Sequence, residues 1–164
     1  MADSKKYIAI MLESLHKKEA LLDLLLLKNE AQAACIRNKE YDDVKWASFH
    51  VLMAEKQSAI DRLNKLDDGF ETLYARVREE LQENKAEYEE EIRLMQELIT
   101  RITDKGVAIC TGEENNRRMI EKILGNTRKE IRQVRKSLQV ASSYYKSMRK
   151  ISPESTSQFM DKKK

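Results

Sequence analysis

Four glycines and one proline are all that punctuate 164 residues, and the proline, Pro153, lies in the last dozen. Over the rest of the chain, apolar residues recur every three or four positions among dense charge. That spacing predicts long amphipathic helices, each burying one stripe against its neighbours. A chain of this kind builds surfaces rather than pockets. It is therefore expected to hold another protein, not to transform a small molecule.

The length suits one domain. Residues 1–150 are expected to form an all-α antiparallel bundle of three long helices with coiled-coil-like packing, the third open to being split into two. Residues 151–164, SPESTSQFMDKKK after Ile151, are polar and expected to be a disordered tail. Charged residues make up 36% of the chain, as in bundles with wet outer faces, but the net charge is only +3. No apolar run approaches the roughly 18 residues of a membrane span. The N-terminus lacks a sustained apolar segment with a cleavage site, so a cytoplasmic protein is expected. Cys35 and Cys110 have neither metal nor redox spacing and read as thiols in a reducing compartment.

The first helix is expected to start near Ser4, capped by Asp3 or Ser4, and to fade near Arg37-Asn38. The short link Asn38-Lys39-Glu40-Tyr41 folds the next helix back antiparallel. That second helix carries a near-heptad seam through Phe49, Leu52, Lys56, Ala59, Leu63, Leu66, Phe70, Leu73, Val77 and Leu81. Gly69 lies inside the rhythm and predicts a kink or softening. A chain reversal is expected near Asn84-Lys85. A third stripe then runs from Ile92 to Met148 in one register, through Gly106, Gly112 and a polar centre. The unbroken phase favours one very long helix over a turn at Gly112. Gly125-Asn126 is a further weak point.

Two charge features stand out. Residues 67–97 hold eleven acids against four bases, and residues 117–150 hold eleven bases against two acids. Within a bundle, such faces attract each other weakly. The basic stretch could equally face an acidic partner, a nucleic acid or a membrane surface, although no nucleic-acid-binding signature accompanies it. The second feature is polarity on apolar seams: Lys56 interrupts the second helix and Asp23 the leucine cluster of the first. A hairpin turning about residue 40 sets them opposite each other, which predicts an inward Asp23–Lys56 pair fixing the register. The alternative is that Lys56 extends its stem outward to solvent.

Signs of catalysis are missing from the sequence. His16 and His50 lack partners at metal spacing. There is no phosphate loop, no G-x-S-x-G and no H-E-x-x-H. The consecutive acids of Glu89-Glu90-Glu91 fan around a helix and cannot converge. No enzymatic activity, cofactor or metal is expected.

The leucine-rich first helix (ALLDLLLLKNEAQAACIRNKEYDD), Glu30 near its end, and the second helix with Glu55-Lys56 form a recognisable order. Asn116-Arg117-Arg118-Met119-Ile120 then opens the last helical stretch, and a tyrosine-bearing amphipathic helix and a polar tail close the chain. Over residues 8–150 this order resembles the FlgN-like flagellar export chaperones, small cytoplasmic all-helical proteins of bacteria. The resemblance implies a chaperone that holds hook-associated junction proteins before type III export and delivers them to the export apparatus. It further implies that the C-terminal amphipathic helix binds the client, through Ile131, Val134, Leu138, Ala141, Tyr144, Tyr145 and Met148. Rigid amphipathic tyrosines suit such a contact. The same residues could instead fill the protein's own core, or do both if the helix detaches. Two rival readings stand beside it: a structural coiled coil that forms a homodimer through an exposed seam, and a polyanion binder using the basic last helix.

Overall fold

The computed structural model describes residues 2–125, 132 and 135–147. Helix α1 spans Ala2–Ile36, α2 Trp46–Glu83 and α3 Glu89–Leu124, with a single 3-10 turn at Tyr41–Asp43. Residues 135–147 are also helical and are called α4 below. The described residues contain helices and turns only, as the apolar spacing predicts. None of these helices is long and apolar enough to cross a membrane.

α1 is the centre of the bundle and packs against both α2 and α3. Its inner stripe, Ile8, Met11, Leu15, Leu22 and Leu25, is buried almost completely. Cross-helix pairs fix the directions. Lys18 bonds Asp67 at 2.6 Å, and Arg76 reaches the Tyr7 hydroxyl at 3.4 Å, so α1 and α2 are antiparallel. Glu19 accepts from Arg101 at 2.8 Å and from Lys105 at 3.1 Å, while Asp23 meets Lys105 at 2.8 Å, so α1 and α3 are parallel.

Each reversal has a local cause. Asn38 adopts a left-handed conformation with φ 58°, and the Lys39 amide donates to Ile36 O at 3.2 Å, which closes α1. Trp46 Nε1 donates to Tyr41 O at 3.1 Å and its ring packs edge-on against Phe49, so the link is a folded aromatic turn. At the opposite end, the reversal expected near Asn84-Lys85 is present. The Asn84 amide donates to Glu80 O at 2.9 Å, and the Tyr88 hydroxyl donates to Glu80 Oε1 at 2.8 Å. Ser4 of α1 donates to the same carboxylate, tying the turn to the bundle.

The third stripe departs from its expected form. α3 runs unbroken through Gly106 and Gly112, so there is no turn at Gly112. It ends instead at Gly125, where φ is +50° and the amide donates to Glu121 O at 3.2 Å. Only glycine adopts such a backbone cheaply. α4 then lies back along α3, with Arg135 3.5 Å from Glu121 and the Tyr144 hydroxyl donating to Asp67 of α2 at 2.9 Å. The favoured single helix across residues 86–150 is thus corrected to two helices split at Gly125. The phase survives the break because both pieces face one core. α2 is continuous through Gly69, around which there is open space. The tail, residues 151–164, lies outside the described residues.

The α1–α3 clamp gives a pH signature. Hydrogen bonds from Arg101, with Lys105 beside it, hold the Glu19 carboxyl at about 2 instead of the usual 4.5. A carboxylate favoured in the folded state contributes stability that is fully present above pH 4.5 and is lost as pH falls through about 2. Glu19→Gln should therefore melt below the wild type near neutral pH, with the gap closing as pH falls towards 2. Thermal melts across that range would check it; a gap independent of pH would contradict the clamp.

Candidate protein-binding site

α4 is amphipathic, and its apolar face points inward. Leu138 packs in a cluster with Ile36, Phe49, Ile120 and Leu124 at the first turn's end of the bundle. Ala141, Tyr144 and Tyr145 join the main core. The outward face is basic, with Arg132, Arg135, Lys136 and Lys146 exposed, and Val140 is its one large exposed apolar side chain among the described residues. The predicted client-binding residues Leu138, Ala141, Tyr144 and Tyr145 are therefore covered by the protein's own helices in this conformation. Ile131, Val134 and Met148 lie outside the described residues.

The floor beneath α4 is polar. Lys56 of α2, 5% exposed, ion-pairs with Glu113 of α3, 3% exposed. Its ammonium also donates to Gln32 Oε1 of α1 at 2.8 Å. Deeper between α1 and α3, Asn29 Nδ2 donates to Ile109 O at 3.2 Å and Asn116 Nδ2 to Asn29 O at 3.1 Å. Gly112 eases this approach: a Cβ there would sit 3.1 Å from Asn29 Nδ2, a tight contact to which the side chain would have to yield by a few tenths of an ångström. Burial lowers the Lys56 pKa, and the Glu113 charge opposes that shift. A crevice of about 10 Å³, room for about one water, remains between this floor and Ser137, Leu138 and Ala141.

This arrangement corrects the expected register pair. Asp23 does not meet Lys56; it is half exposed and pairs with Lys105. Lys18 opposite Asp67 and Gln32 opposite Lys56 centre the hairpin on the 3-10 turn rather than on residue 40. Lys56 is inward, as one reading held, but its carboxylate partner comes from α3. Glu113 itself was missed. It belonged to the polar centre of the third stripe, yet Ile102, Gly106, Ile109, Glu113, Asn116 and Ile120 step by three and four along one buried face. That phase marks Glu113 and Asn116 as seam residues. Of the positions carrying the family resemblance, Lys56 and Asn116 are buried, while Glu30 is exposed and pairs with Arg37 at 3.2 Å.

Some polar atoms at the α4 seat lack hydrogen bonds among the described residues. Among the described residues, the Tyr145 hydroxyl is fully buried without a hydrogen-bond partner, as is Glu113 Oε2. Burial first, then the nearby Glu113 charge, pushes the Tyr145 pKa upward. Its ring contributes to the core while its hydroxyl gains nothing there. α4 also reaches α2, through the Tyr144 hydroxyl on Asp67.

No group of three or more His, Cys, Asp or Glu side chains that could hold a metal occurs among the described residues. Cys35 and Cys110 form no disulfide. In comparison with known proteins, no family model, curated protein or solved structure matches the chain.

The buried pair makes a direct prediction. Lys56→Met alone strands the Glu113 carboxylate and should cost about 3–5 kcal/mol, the usual penalty for breaking a buried pair from one side. Lys56→Met with Glu113→Leu should recover most of that loss. Urea unfolding of the three proteins would check it; a double variant as unstable as the single one would contradict the pairing.

Proposed function

We propose that this protein is a binding chaperone or adaptor whose α4 exchanges its own bundle for a partner's helix. The resemblance to FlgN-like chaperones gives the client class: hook–filament junction proteins, held in the cytoplasm before delivery to the flagellar export apparatus. The observation that carries the reading is the polar floor beneath α4, where the Tyr145 hydroxyl has no hydrogen-bond partner among the described residues.

The energetics support exchange over simple release. Exposing a buried leucine or aromatic side chain costs about 1.5–3 kcal/mol, so a bare α4 is unfavourable in water. A client helix that covers Leu138, Ala141 and Tyr144 again removes that cost. The Tyr145 hydroxyl and the Glu113 carboxylate then regain hydrogen-bond partners from water or the client. Exchange trades one apolar cover for another and relieves buried polar groups. Recognition of this kind lays an amphipathic helix into a groove or against a second helix. The basic outer face, Arg132, Arg135, Lys136 and Lys146, suits an acidic client helix.

Leu138→Asp should weaken binding to the terminal helices of a hook-associated protein by about 30-fold or more, the loss of a hot-spot side chain worth about 2 kcal/mol. Circular dichroism should still report the α1–α3 helices. Calorimetric titration checks the affinity. Binding unaffected by Leu138→Asp but falling steeply with salt would replace this reading with a polyanion binder.

A further inference from the structure

The outer face of α1 carries a second apolar stripe that none of the described helices covers. Ala20, Leu24, Leu27, Ala31 and Ala34 are spaced four, three, four and three residues apart, the rhythm of a coiled-coil seam. All five are exposed, Leu24 at 37% and Leu27 at 69%, the latter the most exposed large apolar side chain among those described. The inner face of the same helix already packs on α2 and α3, so this stripe is surplus to the core.

From this juxtaposition we infer that α1 pairs antiparallel with α1 of a second copy of this chain. Two features of the stripe select that occupant. The first is size. In an antiparallel pair about a twofold axis near residue 29, Leu24 faces Ala34 of the second copy and Leu27 faces its Ala31. Every central layer then sets a large side chain against a small one, which keeps the helix spacing even. A parallel pair sets Leu on Leu and Ala on Ala, with gaps at the alanines. The second is charge. Asp23, Glu30 and Arg37 line one flank of the stripe at seven-residue spacing. The same antiparallel register brings Asp23, which also meets Lys105 of its own chain at 2.8 Å, beside Arg37 of the second copy, twice by symmetry. Glu30 lies near its own twin at the axis, but each is already bonded to its own Arg37 at 3.2 Å. The other flank holds Lys28, which is committed to Glu55 of its own chain. This surface lies on α1, away from the α4 seat, and the inference does not depend on the exchange reading.

The charge pattern supplies a test in which rescue on mixing separates a lost interface from the loss of the Asp23–Lys105 pair within each chain. Asp23→Arg puts arginine against arginine in a homodimer, and Arg37→Asp puts aspartate against aspartate. Each single variant should sediment as a monomer where the wild type is a dimer. Mixed one to one, the two variants regain both attractive pairs and should form a heterodimer. Leu27→Glu should also be monomeric, with its melting temperature unchanged in the dilute limit where the wild type is monomeric. Analytical ultracentrifugation over a concentration series reads all four. A wild type that stays monomeric throughout would overturn the inference, as would a dimer indifferent to Leu27→Glu. Single variants that fail to associate on mixing would overturn the antiparallel register.

Discussion

The ion pair between Lys56 and Glu113 is the contact on which the arrangement of helices depends. Apolar stripes on α1, α2 and α3 could slide by a heptad with little loss, because leucine on leucine is forgiving. A buried ammonium cannot slide, since it must keep its carboxylate and the Gln32 oxygen within reach. One charged group thus ties all three long helices at a single level. Asn29 and Asn116 add main-chain hydrogen bonds nearby. The surface pairs of Glu19, Lys18 and Asp67 then follow the register set inside.

That polar layer has a consequence for α4. Three helices satisfy most of it, and the fourth closes over what is left. Leu138 and Ala141 supply apolar cover, whereas the Tyr145 hydroxyl enters without a hydrogen-bond partner among the described residues. The seat is thus more polar than a sealed core would choose. Helices that open separately from their bundle are drawn from the less stable, less well-satisfied parts of a structure. α4 meets that description by its polar floor of Lys56, Glu113 and Gln32.

Much of the architecture is legible in the residue pattern. Three-and-four spacing with almost no glycine or proline leaves few alternatives to a helical bundle, and the reversals near residues 40 and 84 carry their own turn chemistry. The third reversal is harder to read because α3 and α4 face one core, so their phases agree across Gly125 and phase alone cannot reveal the break. Gly112 misleads in the opposite direction: polar neighbours suggest a turn, but glycine is there to admit Asn29. Lys56 is legible as an inward charge, yet its partner depends on which helix faces it, and a hairpin centre displaced by a few residues was enough to point to Asp23. For the proposed client-binding face, Leu138, Ala141, Tyr144 and Tyr145 are legible as one apolar stripe. A stripe does not say whether the protein itself or a partner covers it.

The central claim is that α4 opens as a separate unit while α1–α3 stay closed. Native-state hydrogen exchange on the full chain, read by mass spectrometry in low urea, tests it most directly. The account predicts that amides of residues 135–147 exchange through an opening distinctly cheaper than global unfolding, with α1–α3 protected to the global limit. Exchange of residues 135–147 with the same free energy and denaturant dependence as α1–α3 would contradict it, and would make α4 an ordinary part of one cooperative bundle.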